Sequence, residues 1–162
     1  MVMVGEIRDR ETVAVAIQAA LTGHLVLATD HTNTAVGALP CLVDMGAEPY
    51  LVASTVRAAL AQRLVRRLCP DCSAPAPLDM ALAHAIGMPC SEPVQVRRPV
   101  GCAICGGTGF KGRVAISEFM KLSQPVRDRL LGGDDEYSLA KVSAEDGTYT
   151  LRGASDLRQL QA

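Results

Sequence analysis

The sequence predicts an α/β fold: a parallel sheet with helices, a small four-cysteine insert and a helical tail. Three observations carry that expectation. Two short apolar runs, Met1–Val4 and Leu25–Thr29, bracket a segment with helical periodicity, which is the pattern of a βαβ unit. Four of the six cysteines fall in two C-x-x-C pairs. Between those pairs the texture turns proline-rich and loses apolar periodicity. With 49% hydrophobic and 20% charged residues in a chain of 162, a packed core is expected and wholesale disorder is not.

Met1–Val4 is continuously apolar and stops at Gly5-Glu6, as expected of a buried strand that delivers a carboxylate to its C-terminal edge. A strand opening at the first residue, with no element before it, is expected to belong to something longer. Asp9 is placed to cap the next helix, in which Val13, Ala16, Ile17, Ala20 and Leu21 form one apolar face. Gly23 is its expected stop. A further helix is expected from Thr32 or Asn33 toward Met45-Gly46, kinked where Pro40 removes a backbone donor. Glu48-Pro49 opens another, with proline at its first position, running to near Ala61. Gln62–Leu68 fits either a continued helix or a strand.

From Cys69 onward Pro70, Pro75, Pro77, Pro89, Pro93 and Pro99 leave room only for short helical pieces such as Asp79–Ile86. Val114–Phe119 reads as a strand returning to the main body. Ser123-Gln124-Pro125 starts a helix that stops at Gly132-Gly133, and shorter helices are expected around Ser138–Ala144 and Leu151–Leu160. The charged run Gly132–Glu136 reads as a solvated loop rather than a metal site. Three parts follow: 1–68, 69–112 and 113–162. No repeat of 20–50 residues is present.

Composition excludes several function classes. Lys+Arg 16 against Asp+Glu 17 gives net charge -1, a poor match to a strongly basic nucleic-acid binder. Aromatic residues at 3%, with no Trp, argue against a base-stacking platform. No run of about 18 apolar residues suggests a transmembrane helix. Glu6, Arg8 and Asp9 come too early for a secretory signal. Paired cysteines in such a chain read as metal ligands in a reducing cytoplasm before they read as disulfides.

Cys69 and Cys72 are followed, after 29 residues, by Cys102 and Cys105. Two residues between thiolates let both sulfurs of a pair converge on one ion, and two such knuckles complete a tetrahedral shell. Gly106, Gly107 and Gly109 permit the tight turn that a knuckle needs. Structural zinc is the expectation, and it would supply much of the insert's stability. Two unrelated pairs or a redox pair are the alternatives, but nothing here resembles a thioredoxin-type unit. Four thiolates leave no open position for catalytic water. Cys41 reads as a small core residue and Cys90 as a stray thiol. The C-x-x-C-x-G-x-G pattern at Cys102–Gly109 occurs in several copies in Hsp40-type co-chaperones, whereas this chain has one. Gly107–Gly112 spells G-x-G-x-x-G but follows a knuckle, not a strand, and so fails as a dinucleotide motif.

The second constellation is Gly5-Glu6-Ile7-Arg8-Asp9 with His31-Thr32-Asn33. In a parallel sheet both lie at the carboxyl ends of neighbouring strands, where open α/β folds bind ligands. A glutamate there can orient a metal-linked or attacking water, and a histidine and a threonine hydroxyl can reach a terminal phosphate. The phosphate-cradling G-x-x-x-x-G-K-[ST] loop is absent from these residues: Lys111, Lys121 and Lys141 follow Phe, Met and Ala, so no Gly-Lys pair occurs.

Met3–Asp9, Gln18–His24, His31–Asn33, Asp44–Gly46, Ala61–Cys69, Gly101–Arg113 and Thr150–Arg152 together resemble the bacterial secretion ATPases. That family comprises the general secretory pathway protein E of type II secretion and the type IV pilus assembly motors. The cysteine insert favours the secretion or assembly branch over retraction motors. The resemblance implies the C-terminal portion of a RecA-like ATPase core. It puts Glu6 at the Walker B catalytic glutamate, with Gly5, Arg8 and Asp9 in the same box. It puts His31 at the His-box histidine, with Thr32 and Asn33 beside it, and Cys69, Cys72, Cys102 and Cys105 at the zinc ligands. It further implies ATP and magnesium, a homo-hexamer, cytoplasmic location at the inner membrane, and partners in the secretion or pilus machinery.

Such a portion is expected to be inactive alone for want of its phosphate loop. Departures from the family pattern are Asp30 before the His box, Pro40-Cys41 for a usual Thr-Arg pair, and Ala115 and Ser117. They fit either a relaxed remnant or a fragment of a working, divergent motor. Arg63, Arg66 and Arg67 could face nucleotide, a neighbouring subunit or solvent. A non-catalytic zinc-binding interaction module is the alternative from another class.

Overall fold

A computed structural model of the chain describes residues 1–81, 95–148 and 151. In order these form β1 (Val2–Val4), α1 (Arg10–Leu21), β2 (Val26–Ala28), α2 (Ala38–Asp44), α3 (Pro49–Thr55), β3 (Ala58–Leu68), β4 (Ala74–Pro77) and β5 (Gln95–Arg98). A 3-10 turn (Ala103–Cys105), β6 (Phe110–Lys121), α4 (Gln124–Leu131) and α5 (Glu136–Glu145) follow. The expected helices at Asp79–Ile86 and Leu151–Leu160, and Cys90, lie largely or wholly outside the described residues.

The strands make three pairs: β1 with β2, β3 with β6, and β4 with β5. β1 and β2 are parallel, with Val2 opposite Val26 and Val4 opposite Ala28, and α1 forms the crossover. This is the α/β unit expected from the apolar runs. β3 and β6 run in opposite directions. Leu122 N–H donates to Arg57 C=O at one end, and Cys69 N–H to Gly109 C=O at the other.

The chain divides into two compact units, Met1–Ala61 with the stretch from Glu118 through α5, and Gln62–Ser117. In the first unit α1, α2 and α3 pack together and α3 meets α4, which meets α5. Val13, Leu39, Val52, Met120, Val126 and Leu139 are buried at its core. Asp9 caps α1 as expected, its Oδ1 accepting from Thr12 N–H at 2.8 Å. Asp135 caps α5 in the same way through Ser138 N–H at 2.9 Å.

Several expectations need correction. The first strand is not buried: Met1 and Met3 are 84% and 79% exposed, because among the described residues β1 pairs with β2 alone. The helix expected from Thr32 begins at Ala38 instead. Pro40 therefore stands in its first turn, where a backbone donor has no helical acceptor to lose, and no kink follows. The helix opened by Pro49 stops at Thr55, and residues 58–68 are strand despite their helix-favouring Ala, Gln, Arg and Leu. Within the proline-rich segment β4 and β5 pair antiparallel, Ala74 opposite Arg98. Pro75 and Pro77 are tolerated there because, among the described residues, β4 pairs on one side only. Gly132–Glu136 is largely exposed, as expected of a solvated stretch, and its carboxylates are also engaged. Asp134 pairs with Arg129 at 3.1 Å, Asp135 caps α5, and Glu136 accepts from Thr34.

Candidate functional site

The parallel register of β1 and β2 brings the residues after them to one edge. Beyond the strands the pairing continues: Ile7 N–H donates to Thr29 C=O at 2.8 Å, and the Thr29 hydroxyl donates to Gly5 C=O. Glu6 and His31 are thereby set side by side. The Glu6 carboxylate takes Arg8 on Oε2 and His31 Nε2 on Oε1. Glu6 is 24% exposed and His31 81%, so the pair opens to solvent.

The hydrogen bond from the Arg8 guanidinium holds the Glu6 carboxyl below the usual carboxylate range; partial burial opposes this, and the charges of Arg8 and His31 add to it. A carboxylate so depressed is a weak proton acceptor but a good hydrogen-bond acceptor. It is suited to orienting water more than to stripping a proton from it.

The other residues of this constellation divide. Asp9 is committed to capping α1. Thr32 Oγ1 lies 3.0 Å from Asp30 Oδ1 and 3.1 Å from the Thr34 carbonyl, so its proton is taken up within the loop. Asp30, the carboxylate that departs from the family pattern, thus competes for a hydroxyl expected to face a ligand. Asn33 is exposed and Gly5 is not required sterically, since a Cβ there would meet nothing within 4 Å.

In the second unit, all four sulfurs of Cys69, Cys72, Cys102 and Cys105 lie within 4.8 Å of one another. Cys69 to Cys102 is 4.0 Å, Cys72 to Cys105 3.8 Å and Cys102 to Cys105 3.7 Å. A tetrahedron with metal–sulfur bonds of about 2.3 Å has edges of about 3.8 Å, and these three edges are close to that value, so the donor set suits a zinc-sized ion.

The knuckle is backbone-built. Gly101 N–H donates to Cys72 Sγ at 3.3 Å, and Cys102 N–H and Gly109 N–H both donate to Cys105 Sγ at 3.2 Å. Gly101 (φ +106) and Gly109 (φ +75) also close the fold sterically: a Cβ would come within 2.5 Å of the Gly107 carbonyl oxygen and of Pro99 Cβ. Gly106 and Gly107 adopt positive φ, in line with the turn expected of them.

Cys69, Cys72 and Cys105 differ from one another. Burial pushes the Cys69 thiol up to about 12 and raises Cys72, whereas backbone N–H donors, Cys102 first, bring Cys105 down to about 6. Cys41 stands apart, half-buried. Among the described residues these four cysteines are the one group with metal-ligand geometry. Of the three arginines left open, Arg66 stacks over the Phe110 ring at 4.1 Å and Arg67 donates to the Lys111 carbonyl.

Glu118 is a further residue at this edge, one that no sequence motif marks. It is buried on β6, and its Oε1 accepts from Ala35 N–H at 2.7 Å, in the loop that carries His31. Its only signal was a carboxylate on the apolar side of a strand, alternating with Ile116 and Met120.

Residues 1–161 match the family described as Type II/IV secretion system protein. The type II secretion system protein E of Aeromonas hydrophila is 48% identical over 152 residues, 94% of this chain and 30% of that protein. The type II secretion system ATPase E of Vibrio cholerae is 45% identical over 141 residues, covering 87% of this chain and 28% of the relative. The type IV pilus assembly ATPase PilB of Thermus thermophilus is 39% identical over 163 residues, 99% and 18%. The chain thus spans about 30% of the length of the type II relatives it matches. Among solved structures, the Legionella pneumophila ATPase DotB superposes with a TM-score of 0.63 over 98% of this chain and 34% of its own, at 24% identity, a likeness of fold.

Proposed function

Because the chain belongs to the Type II/IV secretion system protein family, we propose that it is the C-terminal portion of a motor ATPase that powers type II pseudopilus or type IV pilus assembly. The observation that carries the reading is the meeting of Glu6 and His31 at the carboxyl edge of two parallel strands. Residues 1–68 are then part of a RecA-like core, 69–112 a metal lobe, and 113–162 the return strand and helical region. Glu6 orients the attacking water, His31 reaches toward the terminal phosphate, and Gly5, Arg8, Asp9, Thr32 and Asn33 shape the nucleotide face. Cys69, Cys72, Cys102 and Cys105 hold structural zinc. The site works with ATP and magnesium, in a cytoplasmic homo-hexamer docked peripherally at the inner membrane against components of the secretion machinery. The 162 residues contain no phosphate loop and by themselves turn over no ATP.

A chimera tests this: the matching segment of the Aeromonas hydrophila relative is replaced by this chain and ATP turnover is measured. Turnover is expected, falling roughly 100-fold or more in E6Q and in H31A. A chimera whose E6Q variant keeps its rate contradicts the assignment.

One observation favours a second reading. Val100 and Ile104 on the knuckle are more than half exposed, which suits a zinc-braced interaction module without catalysis. Complementation separates the two: cysteine-to-serine changes alone would abolish the biology of such a module, and E6Q and H31A would leave it intact.

A further inference from the structure

Between β2 and α2 the chain runs from Thr29 to Gly37 without helix or strand, and His31 stands in this stretch. A loop of that kind keeps one conformation only if other groups hold it. Two carboxylates from much later in the chain do so. Glu118 on β6, 4% exposed, accepts from the Ala35 N–H at 2.7 Å. Glu136, the first residue of α5, accepts from the Thr34 hydroxyl at 2.7 Å. That hydroxyl accepts in turn from Gly37 N–H at 3.0 Å. The fit is close, since a Cβ at Gly37 would lie 2.9 Å from Thr34 Oγ1 and 3.0 Å from Glu136 Oε1. Ala35 is itself buried, so its N–H has no recourse to water if the carboxylate is removed.

Neither glutamate takes part in the Glu6 cluster. We propose that Glu118 and Glu136 are positioning residues: by gripping Ala35 and Thr34 they fix the loop conformation in which the His31 imidazole meets Glu6. Glu118 is the stronger of the two because it is buried, and a buried amide left without its acceptor costs more than an exposed hydroxyl that water can serve. The functional weight of this grip rests on the reading of Glu6 and His31 as the nucleotide-facing pair, but the grip itself is a property of the chain alone.

The test therefore uses no nucleotide. In the isotope-labelled full chain, the change that E6Q causes in the His31 Nε2 resonance measures how closely the two side chains meet. In the E118A background that change should fall to less than half, and the Ala35 amide should exchange about tenfold faster or more. E118Q, which keeps an acceptor at the same place, should restore both. An undiminished His31 response to E6Q in folded E118A overturns the proposal, as does E118Q behaving like E118A. Should E118A fail to fold, E136A at the exposed end of the clamp decides: a reduced His31 response supports the proposal, and an unchanged one overturns it. A failed chimera with an intact clamp would count against the nucleotide reading and not against this one.

Discussion

At the four-cysteine site every ligand is supplied by two short turns and held by backbone N–H donors, whereas the Glu6–His31 pair stands at an open edge with its imidazole mostly in water. The first arrangement is closed: four sulfurs within 4.8 Å of one another offer a cation a full tetrahedral donor set. The second is not. Exposed ion pairs contribute little to stability, so this one is better understood by what it is poised to touch than by what it holds together. The difference teaches that one unit gathers its polar groups into a closed cluster while the other carries an open polar pair on a fold held by apolar packing around Leu39, Val52, Met120 and Val126.

The largest expected effect breaks the closed site. Cys69→Ser with Cys105→Ser, or treatment with a strong chelator, should unfold residues 69–81 and 95–113, read as loss of hydrogen-exchange protection at the Cys69 and Gly107 amides. α1 to α3 should remain protected. Next in size is a blow to the other unit's packing. Leu39→Ala, at a fully buried position, should cost about 2–5 kcal/mol in denaturant unfolding and leave the metal stoichiometry unchanged.

The smallest effect sharpens the comparison by pH. Asp9 and Asp135 have carboxyls lowered by the backbone N–H groups of Thr12 and Ser138, which they cap. Depressed in the folded state, they stabilise it above the ordinary carboxyl value of 3.8 and lose that contribution as pH falls below it, because the unfolded chain takes up the proton first. Asp9→Ala should therefore lower Tm by roughly 2–4 °C at pH 7 and by progressively less below pH 3.8. A Tm difference that does not shrink in acid would refute the cap as its cause.

The βαβ unit was legible because its signals are local. Apolar runs, a capping aspartate and a glycine stop occupy consecutive residues and agree with one another. The clustering of the four cysteines was legible for the same reason, since a knuckle is a short-range device. What escaped was set by distant partners. Ala58–Leu68 carries helix-forming residues, yet pairing with β6 makes it a strand, so tertiary pairing overrode propensity. Pro40 was misjudged because the helix start at Ala38, four residues after a half-buried Thr34, follows a loop held by Glu136 in a way that no local pattern announces. Glu118 was missed likewise: its acceptor role exists only because Ala35 arrives from 83 residues away.

Thermal unfolding of the purified 162-residue chain, followed with stoichiometric zinc, with chelator, and with millimolar MgATP, tests the contrast most directly. The account predicts that chelator abolishes a transition belonging to the cysteine unit, that zinc restores it, and that MgATP shifts no transition. A chelator-insensitive profile in which MgATP raises the first transition would contradict it.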